Sequence, residues 1–309
     1  MPNVLREQAA LNGICPYFTM FPLDFPLRIL GERASKGDWV LDPFCGRGTT
    51  NFASRLLGLH SLGIDSNPVA AAITASKLVD TTAPEIMREA REILDQCSTH
   101  DIPNGEFWSW AYHPVTLEAL CRLRESFLCD CRSAARLALR GIVLGALHGP
   151  QQKAFPSYLS NQSPRSYAPK ADYSVRFWKN RGQAPSFVDV LTVIERRAAR
   201  YYTHLPTGRG VWRLADSRLP ESVRPIEPRR RFHWVITSPP YYGMRTYRPD
   251  QWLRNWFLGG PETVDCTNCD QVVHSSPEAF AADLSKVWQN AARVSVPGAQ
   301  MVIRFGGIS

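Results

Sequence analysis

Between Trp39 and Leu57 an apolar strand, Trp39-Val40-Leu41, runs into Asp42-Pro43-Phe44-Cys45-Gly46-Arg47-Gly48-Thr49-Thr50 and then into a helical stretch that continues from Asn51. A strand that feeds a glycine-punctuated turn and then a helix belongs to an α/β sheet, and its turn is where such sheets receive ligands. Gly46 and Gly48 carry no Cβ, so the backbone can turn with positive φ and let a ligand approach its N–H groups. Asp42 falls at the carboxyl end of the strand, the ligand-binding edge of open α/β sheets. The spacing lacks the third glycine of a dinucleotide fingerprint and the Lys-Ser/Thr of a phosphate loop, which argues against NAD and ATP. A strand-to-helix turn with no ligand is the competing reading of these residues taken alone.

The next segment narrows the choice. Gly58-Leu59-His60-Ser61-Leu62-Gly63-Ile64-Asp65 reads as a second strand ending in an acid, followed by Asn67-Pro68 and an alanine-rich helix. An acid in that place can accept hydrogen bonds from ribose hydroxyls. Together, Asp42-Pro43-Phe44-Cys45-Gly46-x-Gly48-Thr49-Thr50 and Gly63-Ile64-Asp65-x-Asn67-Pro68 resemble the S-adenosyl-L-methionine site of the DNA amino-methyltransferases, which methylate the exocyclic nitrogen of cytosine or adenine. The resemblance implies a three-layer Rossmann-like α/β fold with a mostly parallel sheet. It assigns cofactor contacts to Asp42, Phe44, Gly46, Gly48, Thr49 and Asp65. It also implies that the aromatic, proline-rich segment before the first strand closes over the methionine end of the cofactor through Tyr17 and Phe18, although packing of an N-terminal arm explains that segment too. Val211 to Ala215 reads as a third strand, and the resemblance gives Asp216 the adenine amino group of the cofactor; a turn-forming Asp is the alternative.

A strand from Phe232 to Thr237 delivers Ser238-Pro239-Pro240-Tyr241. Two prolines end the strand, remove two backbone donors and leave carbonyls as unpaired acceptors. An exocyclic amino group is a poor nucleophile because its lone pair is delocalised into the ring. Accepting its two N–H groups at the Ser238 hydroxyl and the Pro239 carbonyl favours a pyramidal, nucleophilic nitrogen. Tyr241 would stack on the target base, which must leave the duplex to be reached. Ser at position 238 resembles the cytosine-N4 enzymes, whereas adenine-N6 enzymes more often carry Asp or Asn there, so cytosine is favoured and adenine is the alternative. A catalytically silent DNA-binding protein that keeps the fold is the reading from another class.

The 309 residues carry a net charge of +8, which favours an anionic partner such as DNA. Eight cysteines without a framework spacing, no opening signal-peptide pattern and no run of about eighteen apolar residues point to a reduced, cytoplasmic protein without a membrane span. Cys266-Thr267-Asn268-Cys269 is a single C-x2-C pair lacking two further ligands, so no metal is expected.

The chain divides into a cofactor-binding part, 1–105, a largely helical basic insertion, 106–205, and a catalytic part, 206–309. A helix is expected from Ala83 to about Asp101, and within the insertion at Pro114 to Phe127, Ser133 to His148 and Phe187 to Tyr202, around a polar, aromatic and basic loop. Lys170, Arg176 and Lys179, with tyrosines interleaved, are candidate phosphate contacts, while Ser160, Asn161 and Gln162 are candidate base readers. Ser157 to Gln162 also resembles a segment in one branch of these methyltransferases. Arg245, in the aromatic and basic stretch after Tyr241, is a further DNA candidate. Finally, Pro277 to Val294 reads as a helix and Ala299 to Phe305 as a fifth strand, apolar on both faces. In the resembled fold more strands follow, so this strand is expected to be a bare edge, and the chain either a truncated form of a longer enzyme or one completed by a second polypeptide. Cognate restriction or defence components are the alternative candidate partner to that second polypeptide.

Overall fold

A computed structural model describes residues 7–17, 21–99, 101–149, 157–161, 170–206, 208–224, 230–242, 251–264 and 276–305. Five strands form one parallel sheet: β1 (Trp39–Asp42), β2 (His60–Asp65), β3 (Gly210–Leu214), β4 (Phe232–Thr237) and β5 (Ser295–Ile303), in the order β3-β2-β1-β4-β5. The order reverses between β1 and β4, where Leu41 is in register with Val235. The carboxyl ends of those two strands therefore share the topological switch point, where open α/β sheets bind ligands.

Both sheet faces are covered, which is why β1 is buried at every residue. Trp39, Leu41, Leu62, Ile64 and Val235 pack towards Val223 and Ala291, while Val40, Trp234 and Ile236 pack towards Leu30, as the period-two alternation of strands requires. The first face is closed by α11 (Pro277–Arg293), the second by α1 (Asp24–Arg33). Between these in sequence come α2 (Thr49–Leu56), α3 (Pro68–Leu78) and α4 (Ala83–Gln96). A reciprocal Thr82–Glu85 capping box starts α4.

The insertion contributes α5 (Glu106–Ala111), α6 (Pro114–Cys129), α7 (Ala134–Ala146), α8 (Ala171–Asn180) and α9 (Val190–Tyr201). It is packed against the part of the chain that precedes it. Helix α7 lies along α3, so every residue from Val69 to Leu78 is buried, with the sheet on one side and the insertion on the other. The approach is close enough that a Cβ at Gly141 would meet the Ser76 side chain at 2.3 Å. After β4 the chain returns to the insertion as α10 (Trp252–Phe257), whose Trp252 and Trp256 join Phe107 and Trp108 in one aromatic cluster.

Some local expectations shift: α4 ends at Gln96 instead of near Asp101. The stretch read as a loop between the insertion helices contains α8, because Val175 and Trp178 bury one helical face that polar neighbours obscure in the sequence. β5 starts at Ser295 instead of Ala299: a bulge opposite Phe232 and Trp234 absorbs Pro297 and Gly298, residues that otherwise mark a strand's end. Among the described residues β5 pairs with β4 alone, and Met301 on it is 42% exposed. No helix among the described residues is long and apolar enough to cross a membrane.

Candidate active site

Asp42 ends β1 with its carboxylate buried. Its Oδ1 accepts from the Phe44 N–H at 3.1 Å and from the Thr237 hydroxyl at 2.6 Å, which ties the end of β1 to the end of β4. Its Oδ2 is equally buried and has no partner. Burial pushes the Asp42 pKa from 3.8 up to about 6, against the lowering effect of the Thr237 and Thr50 hydroxyls and the Phe44 N–H. A buried acceptor with no donor is costly unless a ligand supplies one.

The loop beyond it is held from several sides. Gly46 and Gly48 both take positive φ, +51° and +72°. A Cβ at Gly48 would also sit 2.7–3.0 Å from the Thr74 side chain, so that position is closed to larger residues twice over. Thr74 donates to the Gly46 carbonyl at 3.0 Å, and Lys77, wholly buried on the same helix, donates from Nζ to the Arg47 carbonyl at 2.6 Å. Burial drives the Lys77 pKa well down, with the nearby Arg47 adding to it. Thr49, also buried, opens α2.

Asp65 stands at the end of β2, half-buried. Its Oδ2 accepts from the Gly46 N–H at 2.8 Å and its Oδ1 from the Asn67 N–H at 2.9 Å. Burial raises its pKa to about 6. An ionised carboxylate has about four lone-pair sites, so two further donors can be accommodated. Asn67 caps α3 through Val69 N at 2.9 Å and donates to the Tyr17 hydroxyl at 3.3 Å. Tyr17 Cε1 lies 3.9 Å from where a Gly46 Cβ would be, so Tyr17, Gly46, Asp65 and Asn67 form one wall. Phe18 lies outside the described residues. Phe44 meets Trp288 edge-on, centroids 5.9 Å apart.

Asp216 follows β3. Its carboxylate is gripped by the Arg218 guanidinium at 2.7–3.0 Å, and Oδ1 also accepts the Arg218 N–H at 2.9 Å. Arg218 reaches Asp283 as well, at 2.7 Å, and the Asp216 contact raises its pKa. Ser217, beside it, donates to the Pro43 carbonyl at 2.6 Å and draws the loop after β3 onto the loop after β1.

At the end of β4, Ser238 donates its hydroxyl to the Arg304 carbonyl at 3.0 Å, and Arg304 N donates to the Thr237 carbonyl at 2.9 Å. With its one proton committed, the Ser238 oxygen has only lone pairs to offer. Pro239 is buried, and Pro240 and Tyr241 are half-buried. The structure thus brings Asp42, Thr237 and Ser238 to one edge of two adjacent strands. Thr237 and Ser217, which complete that edge, escaped sequence reasoning because a lone Thr or Ser carries no motif. Thr74 and Lys77 escaped because they sit inside a helix that reads as plain core.

Lys170, Arg176 and Lys179 are exposed on and beside α8. Lys179 is paired with Glu106 at 2.5 Å. Lys170 and Arg176 line a cavity of about 740 Å³ together with Phe107, Tyr173 and Trp252. Ser160 and Asn161 are not surface base readers: both are buried, Ser160 against His148 at 3.0 Å, and Asn161 donating to the Trp110 and Gln183 carbonyls at 3.0 and 2.9 Å. Gln162, Arg245, Cys266 and Cys269 lie outside the described residues. No cluster of three His, Cys, Asp or Glu side chains suited to a metal occurs among the described residues.

The five-stranded parallel sheet, its switch point between β1 and β4 and the loops gathered there define a Rossmann-like α/β fold. Residues 2–76 match the DNA methylase model of the N6/N4 methyltransferases. Over 63 residues the chain is 40% identical to the type II methyltransferase M.BsoBI of Geobacillus stearothermophilus, and over 92 residues 29% identical to M.MthZI of Methanothermobacter thermautotrophicus. These matches make the first part of the chain similar to the DNA amino-methyltransferases. They span 20% and 30% of this chain, and only 12% and 26% of the two relatives. The rRNA methyltransferase aviRa of Streptomyces viridochromogenes aligns over 96% of this chain and 80% of its own, at 13% identity and a TM-score of 0.36.

Proposed function

We propose that the protein transfers a methyl group from S-adenosyl-L-methionine to an exocyclic amino group of DNA, cytosine N4 being the favoured target. The observation that carries this reading is the Thr237–Asp42 hydrogen bond, 2.6 Å long, which sets the acceptor pair Ser238 and Pro239 beside the glycine loop. The residues suit the cofactor: Asp42 offers an unpartnered buried oxygen, Asp65 an acid with spare lone pairs, and Gly46 a stretch of backbone without side-chain bulk beside the Tyr17 ring. When bound, the cofactor supplies an electrophilic methyl group.

The chain's own part is to make the amino nitrogen nucleophilic. Ser238, turned by the Arg304 carbonyl, accepts one amino N–H, and the Pro239 carbonyl accepts the other. Tyr241 stacks on the base once it has left the duplex. Asp216 serves the adenine amino group of the cofactor only through lone pairs that Arg218 does not occupy. Lys170, Arg176 and Lys179 contact the DNA backbone, and Arg245 belongs to the same proposed set.

The test is mass spectrometry of nucleosides from unmethylated DNA incubated with the chain and S-adenosyl-L-methionine. N4-methylcytosine is expected. N6-methyladenine would move the target, and cofactor binding without any methylated nucleoside would show a silent member of the fold.

A further inference from the structure

Beside β5, on the far side of the catalytic turn from β1, an open groove of about 500 Å³ is lined by Pro22, Asp24, Phe25, Leu27, Arg28 and Arg304. Its position follows from the topology. β5 runs parallel to β4, so Arg304 emerges at the ligand-binding edge of the sheet, and the start of α1 meets it there. The Arg304 guanidinium lies 5.3 Å from the Phe25 ring centroid, a cation–π contact that fixes the side chain along the groove floor. Arg28 is exposed one helical turn beyond Asp24. Among the described residues neither guanidinium has an ion-pair partner. Two cations thus face a single acid.

The groove is also coupled to the catalytic turn, because the residue that supplies the Arg304 guanidinium supplies the carbonyl that receives the Ser238 hydroxyl at 3.0 Å. We propose that this groove holds the phosphodiester backbone of the target strand next to the extruded base, with Arg28 and Arg304 on adjacent phosphates. The inference rests on the methyltransferase reading and adds a DNA contact on the side of the catalytic turn away from the basic insertion. A base swung out of a duplex drags its flanking phosphates with it, and cations beside the catalytic turn hold them there. Guanidinium groups suit the task, since each presents a planar fork of donors to phosphate oxygens.

The test uses the full chain and a mixed-sequence duplex. Binding is followed by fluorescence anisotropy over about 50 to 200 mM salt, and each lost phosphate contact lowers the slope of log K against log salt by about 0.9. Arg28→Gln and Arg304→Gln are each expected to flatten the slope by about one contact, the double variant by about two, and Arg304→Lys to keep most of it. Calorimetric affinity for S-adenosyl-L-methionine is expected to stay unchanged in all four. Unchanged slopes in Gln variants of a chain that still binds and methylates DNA overturn the groove alone. Loss of cofactor affinity with the slope intact assigns the arginines to the cofactor carboxylate instead and also overturns it. A parent chain that binds no DNA overturns the methyltransferase reading, and the groove with it.

Discussion

Asp42→Asn separates the cost of the buried carboxylate from its use. The native pKa of about 6 stands above the ordinary 3.8 because burial penalises the charge. For a raised carboxylate the stabilising contribution is complete below the unfolded pKa and is lost as pH rises through the folded one. Above pH 6 the protein therefore carries a buried charge whose linkage cost is about 3 kcal/mol, from roughly two units at about 1.4 kcal/mol each. In the variant, Oδ1 still accepts from Phe44 N and Thr237, while the new amide N–H replaces the orphaned Oδ2 at a pH-independent cost of about 1–3 kcal/mol. Asp65 is present in both proteins, and only its repulsion of the Asp42 charge, the last and smallest of the influences on that group, is lost in the variant. Urea unfolding across pH is expected to show the variant gaining on the parent as pH rises. About half of that 3 kcal/mol appears between pH 5 and pH 7.5. Binding of S-adenosyl-L-methionine is expected to fall, since a donor then faces the ligand's donors. Stability curves that run parallel in pH would refute the reasoning by showing that Asp42 is not ionised at a cost.

Asp65→Ala is expected to weaken S-adenosyl-L-methionine binding by about 1.5–3 kcal/mol, the range for a hydrogen bond to a charged group, and calorimetry on the folded variant reads it directly. Tyr241→Ala is expected to keep cofactor affinity but lose methyl transfer, as stacking on an unpaired base contributes roughly 1–3 kcal/mol; a fully active variant counts against that stacking. Neutralising Lys170, Arg176 and Lys179 together is expected to flatten the salt dependence of DNA binding by about 0.9 for each phosphate contact removed. Most of that change comes from Lys170 and Arg176, because Glu106 already engages Lys179. An unaltered slope relocates the DNA surface.

The strand cores were legible in the sequence because parallel strands covered on both faces read as short apolar runs: Phe232 to Thr237 matches β4 residue for residue, and Trp39 to Leu41 misses only Asp42. The turns at Gly46 and Gly48 were legible because positive φ restricts the residue type. What stayed hidden depends on long-range partners. The alanine-rich α3 gives no hint that α7, about seventy residues later, covers its outer side. The motif at Asp216 carries no sign that Arg218 and Asp283 close around it. Asn161 looked like a base reader because a polar side chain reads alike whether it faces DNA or two backbone carbonyls.

The placement of Tyr17 shows why the insertion matters to the glycine loop. Residues Ala9–Gly13 form a short helical arm that a free N-terminus would not keep in place. Helix α9 fixes it: Tyr201 donates its hydroxyl to the Gly13 carbonyl at 3.2 Å, and Arg197 reaches the Ile14 carbonyl at 3.4 Å while also donating to Ser157 O at 2.9 Å. From the other side, Lys77 spans from Asn12 Oδ1 at 3.0 Å to the Arg47 carbonyl at 2.6 Å, so one buried amine joins the arm to the glycine loop. The arm is therefore clamped between insertion and loop, and Tyr17 at its end comes to rest beside Gly46. A chain lacking the insertion would retain every residue of the glycine motif, with the Lys77 and Asn67 contacts, and lose the α9 side of the clamp that sets Tyr17 against it.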